Sequence, residues 1–255
     1  MTDYEKVVAL WHGYNIKTVS ELDMRLDSFR VLFAFNSGKL ESDEVTYEDT
    51  REVFSDDKVS SFVGSPSTLT KISNQRKCYE FLLPKIIKDE PITIELIKEV
   101  HAITIMATYD DRRFFELGER PGSFKKNDFV VGEGEYGSAP EDVESELESL
   151  LDEIYNIGKL AEPTQVLRTA AYFHAWYETI HPFADGNGRT GRTLMNYFLM
   201  VNNHPPLIVY SEDRKAYYAA LDLFREADAD LNPLFNFFKQ QLEKTWKATL
   251  NRKKM

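Results

Sequence analysis

The chain has 255 residues, of which 42% are hydrophobic, 13% aromatic and 29% charged. That is enough apolar material for one sizeable core and too much for a disordered chain. Lys and Arg number 31 against 42 Asp and Glu, a formal net charge of −11, which argues against non-specific binding to nucleic acid or anionic lipid, because neutralising phosphates needs a surplus of basic residues. A local basic pocket for a small phosphorylated ligand stays open. The single cysteine, Cys78, rules out an intramolecular disulfide and a cysteine-based zinc site. Residues 1–6 show no basic segment followed by an apolar one. The longest uncharged stretch, 193–211, is broken by polar residues, Pro205 and Pro206. A cytoplasmic protein with no membrane partner is expected.

In chain order, Thr18-Val19-Ser20-Glu21 is a capping-box pattern that predicts a helix start at Thr18. Val19, Leu22, Leu26, Phe29 and Phe33 follow at steps of three and four, one apolar stripe. The stripe runs into Ser37-Gly38-Lys39-Leu40-Glu41, where Ser37 and Glu41 share a face. Pro84 and Pro91 punctuate the approach to a helix over about 93–108. From Gly118 to Pro140 the glycines and the run Ser123–Val131 predict a short hairpin or flap. Helices are expected again around 141–157, 164–180, 189–201, 214–227 and 231–250. The fold class is mainly α, with one short β element.

Two patterns read as decoys. Gly132-Glu133-Gly134-Glu135-Tyr136-Gly137 matches G-x-G-x-x-G, but no alternating β–α pattern surrounds it and Pro140 delays the next helix, so a turn is expected rather than a dinucleotide site. His174, Glu178 and His181 share a helical face on which a metal is conceivable. Pro182 disturbs the helix where a third ligand would need fixing, so a core His174 and a functional His181 are expected instead.

The chemistry concentrates in His181-Pro182-Phe183-Ala184-Asp185-Gly186-Asn187-Gly188-Arg189-Thr190-Gly191-Arg192. Pro182 places His181 at a helix end with its ring free to project. Asp185 to Gly188 make a tight turn, and the helix that starts near Arg189 offers unpaired N–H groups and a positive dipole end to an anion. Arg189 and Arg192, three apart, flank the same spot. A base, a carboxylate for a hard metal, a backbone anion hole and two phosphate clamps suit phosphoryl or nucleotidyl transfer with Mg2+.

This run fits H-P-F-x-(D/E)-G-N-G-R-x-x-R, and on it the chain resembles the Fic (Fic/Doc) family of AMP transferases. The segment around His101, the stretch Gly118–Val131 and Arg214-Lys215-Ala216-Tyr217-Tyr218-Ala219-Ala220-Leu221 look Fic-like too, so that the likeness covers about residues 20–240. It implies a helical bundle with a β-hairpin flap. The roles it implies are His181 as general base toward a target hydroxyl and Asp185 as the Mg2+ ligand. Gly186, Asn187 and Gly188 would cradle phosphate, Arg189 and Arg192 would bind the β/γ end, and Tyr217 would line the adenine pocket. ATP is the implied co-substrate, and a Tyr, Thr or Ser hydroxyl presented at the flap around 122–131 the implied acceptor. Family members that transfer phosphate carry Lys in place of the second glycine of G-N-G, so Gly188 favours AMP transfer.

The resemblance also implies a brake. Ser37-Gly38-Lys39-Leu40-Glu41-Ser42 looks like the inhibitory (S/T)-x-x-x-E-(G/N), with Glu41 pairing with Arg192. Ser42 departs from the pattern, being less suited than Gly or Asn to a left-handed helix cap. On this view residues 1–85 form an N-terminal helical region carrying the brake. Residues 86–255 form the catalytic core with C-terminal helices, in one compact unit. A homodimer linked to auto-modification is a family-level expectation. Removal of AMP by the same residues and a nucleotide-binding module without turnover are the alternative readings.

Overall fold

The computed structural model describes residues 1–56, 65–129, 137–158, 160, 162–226 and 229–252. Ten α-helices lie in this order: α1 (Asp3–His12), α2 (Val19–Lys39), α3 (Tyr47–Asp56), α4 (Pro66–Ile87), α5 (Ile94–Ile105), α6 (Val143–Asn156), α7 (Pro163–Ile180), α8 (Asn187–Val201), α9 (Arg214–Glu226) and α10 (Asn232–Arg252). A π-helical turn, Arg112–Glu116, follows α5, and a 3-10 turn, Ser211–Asp213, precedes α9.

The helix starts obey local chemistry. Thr18 caps α2, its hydroxyl accepting the Glu21 N–H at 3.2 Å while Glu21 accepts the Thr18 N–H at 3.0 Å. Thr2 and Glu5 repeat the box on α1, a signal present in the sequence that the reading above did not use. Leu22, Leu26 and Phe29 are buried as expected, whereas Val19, in the first turn of α2, is 39% exposed. Pro84 does not punctuate: it lies inside α4. Close to the C-terminus, it removes one backbone donor from a 22-residue helix that Leu82, Leu83 and Ile86 anchor in the core.

α7 and α8 form the central pair, with α5 and α4 against α8 and with α6 and α10 against α7. Ala170, Ala171 and Ala175 let the backbones approach, while Phe173, Tyr177, Leu194, Met195 and Tyr197 fill the space between, each at 0% exposure. Side chains of this kind contribute roughly 1.5–3 kcal/mol each on burial. α1 closes the far end, where the Tyr4 hydroxyl donates to His204 Nε2 at 3.1 Å and His204 Nδ1 donates to the Pro205 carbonyl at 2.9 Å. Burial pulls the His204 pKa down to about 4. A second, smaller core of Ala34, Val45, Val53, Phe54 and Ile72 sits where the end of α2 meets α3 and the start of α4.

The bundle is mainly α, but no strand occurs among the described residues. The segment 118–129 runs as turns because its N–H groups find side-chain and loop partners in place of a second strand. The carboxylate of Glu119, 0% exposed, accepts the N–H groups of Lys126 and Asn127 at 3.0 and 3.2 Å. Lys125 N–H donates to the Pro182 carbonyl at 3.0 Å. Val130, Val131 and the glycine-rich run as far as Tyr136 lie outside the described residues. No helix among the described residues is long and apolar enough to cross a membrane.

Candidate active site

The site is built where α7 breaks and α8 begins. His181 caps α7 with φ +50° and ψ +62°, a left-handed conformation that is strained for a non-glycine residue. Asn187 holds it there. Asn187 Oδ1 accepts the Phe183 N–H at 2.9 Å, which fixes the amide so that Nδ2 donates to the Phe183 carbonyl at 2.7 Å and to His181 Nε2 at 3.0 Å. His181 Nε2 is therefore an acceptor, and its proton resides on Nδ1. Burial, with the charges of Lys125 and Arg225 behind it, brings the His181 pKa down to about 4.

Gly186 caps α8 at φ +77°, and Asp185 Oδ1 accepts its N–H at 2.7 Å. Asp185 Oδ2 lies 3.9 Å from Arg113 of the π-helical turn, a residue with no sequence signal. Two arginines rise from the first turns of α8 with contrasting partners. Arg189 is 4% exposed, makes one long bond of 3.4 Å to the Thr104 carbonyl, and has a buried Nε without a partner among the described residues. A buried guanidinium with spare donors at a helix N-terminus is a site for an anion.

Arg192 is 1% exposed and is held through Nε and Nη2. Its Nε donates to Ser37 Oγ at 3.1 Å, and its Nη2 donates to the Ser37 carbonyl at 3.1 Å and to Glu41 Oε1 at 2.7 Å. Burial works to raise the Glu41 pKa, but Arg192, with Arg189 and Arg214 beyond it, overcomes this and holds the carboxyl below its ordinary range. The Glu41 side chain remains 40% exposed, so water screens its outer side. A Cβ on Gly188 would stand 2.6 Å from Glu41 Oε1. The carboxylate thus rests on the first turn of α8, where any side chain at position 188 would have to displace it or Arg192 Nη1. Ser42 does not loosen this arrangement. Glu41 and Ser42 both donate their N–H groups to the Gly38 carbonyl at 3.0 Å, and Ser42 is not among the residues with positive φ, so the left-handed cap that would demand Gly or Asn is absent.

Tyr217 needs correction. It is 0% exposed, its hydroxyl is 2.7 Å from His174 Nε2, and it sits beside the Arg192 guanidinium, so its ring is core and not the wall of a pocket. The next residue, Tyr218, is partly exposed and feels both Glu41 and Arg192. His174 Nε2 lies 3.9 Å from Glu178 Oε1, but His181 leaves the helix, so the set His174, Glu178 and His181 does not converge either. No three His, Cys, Asp or Glu side chains among the described residues gather as a metal site. One carboxylate, Asp185, suits Mg2+ that takes its other ligands from phosphate and water.

Glu178 was missed as a titrating group. It is 8% exposed, its Oε1 has no hydrogen-bond partner among the described residues, and burial lifts its pKa to about 7, with Arg192 and Arg225 opposing and Glu41 adding. The folded state therefore favours the neutral acid. The stability this gives is full below the unfolded value of 4.5 and is lost as pH rises through about 7. Glu178→Gln is expected to be more stable than the parent at pH 8, by on the order of 3 kcal/mol, and equal to it near pH 4.5. Thermal melts at the two pH values check this.

Residues 91–199 match the family model described as Fic/DOC family. The chain carries a Fic/DOC domain. It is 32% identical over 163 residues to the protein adenylyltransferase Fic of Nematostella vectensis, covering 64% of this chain and 35% of that protein. It is 37% identical over 127 residues to the protein of the same name from Drosophila persimilis, covering 49% and 23%. The chain thus spans only about a quarter to a third of these curated relatives. Among solved structures, a Fic domain containing signaling protein from Bacteroides thetaiotaomicron aligns with a TM-score of 0.80 at 25% identity, over 96% of this chain and 95% of that one. Fic-1 from C. elegans aligns with a TM-score of 0.80 at 21% identity, over 99% of this chain and 72% of that one, a likeness of fold. The matched Fic residues include α5, α6, α7 and most of α8. Ser37 and Glu41 lie outside them and reach the Fic signature only through folding, across more than 150 residues of chain.

Proposed function

We propose that the chain transfers AMP from ATP to a Tyr, Thr or Ser hydroxyl of a protein, and that Glu41 restrains it. The observation that carries this reading is Arg189, a buried guanidinium with spare donors beside the α8 N-terminus and Asp185. It sits in a domain whose relatives are named protein adenylyltransferase Fic. In the proposed step, His181 Nε2 gives up its bond from the Asn187 amide and takes the proton of the target hydroxyl as that oxygen bonds to the α-phosphorus. The bond to the bridging oxygen breaks, and pyrophosphate leaves with the electron pair. Mg2+ held by Asp185 would neutralise charge on the α- and β-phosphates. Gly186, Asn187 and Gly188 cradle phosphate, while Arg189 and Arg192 take the terminal phosphates once Arg192 is free of Glu41. An extended target segment would lie along the segment 122–129. On this reading residues 1–85 supply the restraint and 86–255 the catalytic core.

A second reading, removal of AMP, is favoured by one observation. The Glu41 carboxylate is ionised and partly exposed within the site, placed to orient a water. Incubation with Mg2+ and ATP labelled on the α-phosphate, then on the γ-phosphate, separates the readings. Covalent α-label on protein is the expected result. Covalent γ-label would replace the proposal with phosphate transfer, and AMP released from a pre-modified protein without forward label would replace it with the reverse activity. ATP bound with neither outcome would leave a binding module.

A further inference from the structure

The imidazole of His101, on α5, joins two parts of the site that are far apart in sequence. It is 0% exposed and lies flat on Phe183, with ring centroids 3.6 Å apart and 6° between the planes. Its Nε2 is 3.0 Å from the backbone carbonyl of Asp185, and its Nδ1 is 3.0 Å from the N–H of Gly122. A carbonyl only accepts and an N–H only donates, so the tautomer is fixed with the proton on Nε2 and the lone pair on Nδ1. A second proton has no acceptor to meet. Burial, aided by the Arg189 charge, pulls the pKa down to about 3, so the ring exchanges no proton near neutrality. Its part is geometric.

Both partners are at glycine turns with little slack. Gly122, φ +76°, is so close to α5 that a Cβ would lie 3.0 Å from the Ala102 Cβ and 3.1 Å from the Lys98 carbonyl. Gly186, φ +77°, follows Asp185, and a Cβ there would lie 3.3 Å from Ile105 Cδ1. Two backbone bonds, Lys125 N–H to the Pro182 carbonyl and Ser138 N–H to the Ile180 carbonyl, each 3.0 Å, also stitch the flap segment to the end of α7. Of these ties, the one made by His101 runs through a side chain and can be cut by substitution.

We infer that His101 is a positioning residue that locks the flap to the Asp185 loop, so that the surface for the target and the carboxylate for Mg2+ take up one geometry together. The inference rests on the function proposed above. In a Glu41→Gly background, His101→Phe keeps a ring on Phe183 and deletes both hydrogen bonds. The Michaelis constant for the target and the half-saturating Mg2+ concentration are each expected to rise about tenfold, the scale of a lost buried hydrogen bond. ATP affinity without Mg2+ should stay within about twofold, because Arg189 and Arg192 are untouched. His101→Asn can still accept from Gly122 and should recover the target constant alone. His101→Gln can still donate to the Asp185 carbonyl and should recover the Mg2+ dependence alone. Should the phenylalanine variant fail to fold, this pair carries the same test. Amide hydrogen exchange supplies a readout independent of activity: in His101→Phe, residues 119–126 and 183–187 should exchange faster together. A fall in turnover with both constants unchanged, or faster exchange in one segment only, would overturn the inference. If Glu41→Gly transfers no AMP, the functional reading fails, and the exchange measurement alone decides the role of His101.

Discussion

Glu41→Gly is expected to accelerate AMP transfer by about 10- to 100-fold, the usual range for relief of a coupled inhibitory contact. Glu41 Oε1 occupies the best donor of Arg192 at 2.7 Å and lies against Gly188 in the first turn of α8. A terminal phosphate would need the same donor and the same helix end, and two anions cannot share them. Removing the carboxylate leaves Arg192 oriented, since its bonds to the Ser37 hydroxyl and carbonyl remain. Glu41→Gln, which keeps an acceptor but not the charge, should fall between the two. Initial rates with α-labelled ATP, with ATP affinity measured in parallel, provide the check. A Glu41→Gly rate no higher than that of the parent would remove the restraint from the proposal.

His181→Ala should reduce transfer by about 10²- to 10⁴-fold, the contribution of a positioned general base, while ATP binding survives. The ring contacts Asn187 and neither of the arginines. The pH profile carries a separate signature. Only the neutral imidazole can take a proton, and burial with Lys125 and Arg225 nearby holds the pKa near 4. In the Glu41→Gly background, kcat/KM for the target should be level from about pH 6 upward, with no titration of the base in the range where the fold is intact. A rising limb centred on 6.5 would mean that His181 is solvated when it acts, contrary to the buried geometry.

The parts of the site legible in the sequence are those whose chemistry is contiguous or periodic. Residues 181–192 bring His181, Asp185, Arg189 and Arg192 together where α7 ends and α8 begins, because a broken helix followed by a glycine turn leaves few other geometries. The four-residue spacing of Ser37 and Glu41 put both toward Arg192, Ser37 in the last turn of α2 and Glu41 just past its end. Where the answer depended on which way a helix turns within the bundle, the reading failed. One position separates Tyr217 in the core from Tyr218 near the arginines, and a repeat of aromatics does not say which faces inward. His101 and Arg113 matter through partners 84 and 72 residues away, for which no local pattern exists. The expected hairpin rested on glycines and on the extended look of 123–131. The sequence could not show that Glu119 would take the N–H groups that a strand needs for pairing.

The buried imidazoles have a consequence for the molecule as a whole. Four of its five histidines, His101, His174, His181 and His204, are held neutral in the fold with pKa values of about 3 to 4, mainly by burial. Released into water, each would titrate near 6.5, so unfolding between about pH 4.5 and 6 takes up protons, while Glu178 works in the opposite sense by giving one up. A net uptake of about three protons tilts the folding equilibrium by on the order of 4 kcal/mol per pH unit, a large share of the roughly 5–15 kcal/mol that holds a domain together. The acid limit of this fold is thus expected to be set by the collapse of its scaffold before the chemistry of the 181–192 segment gives out.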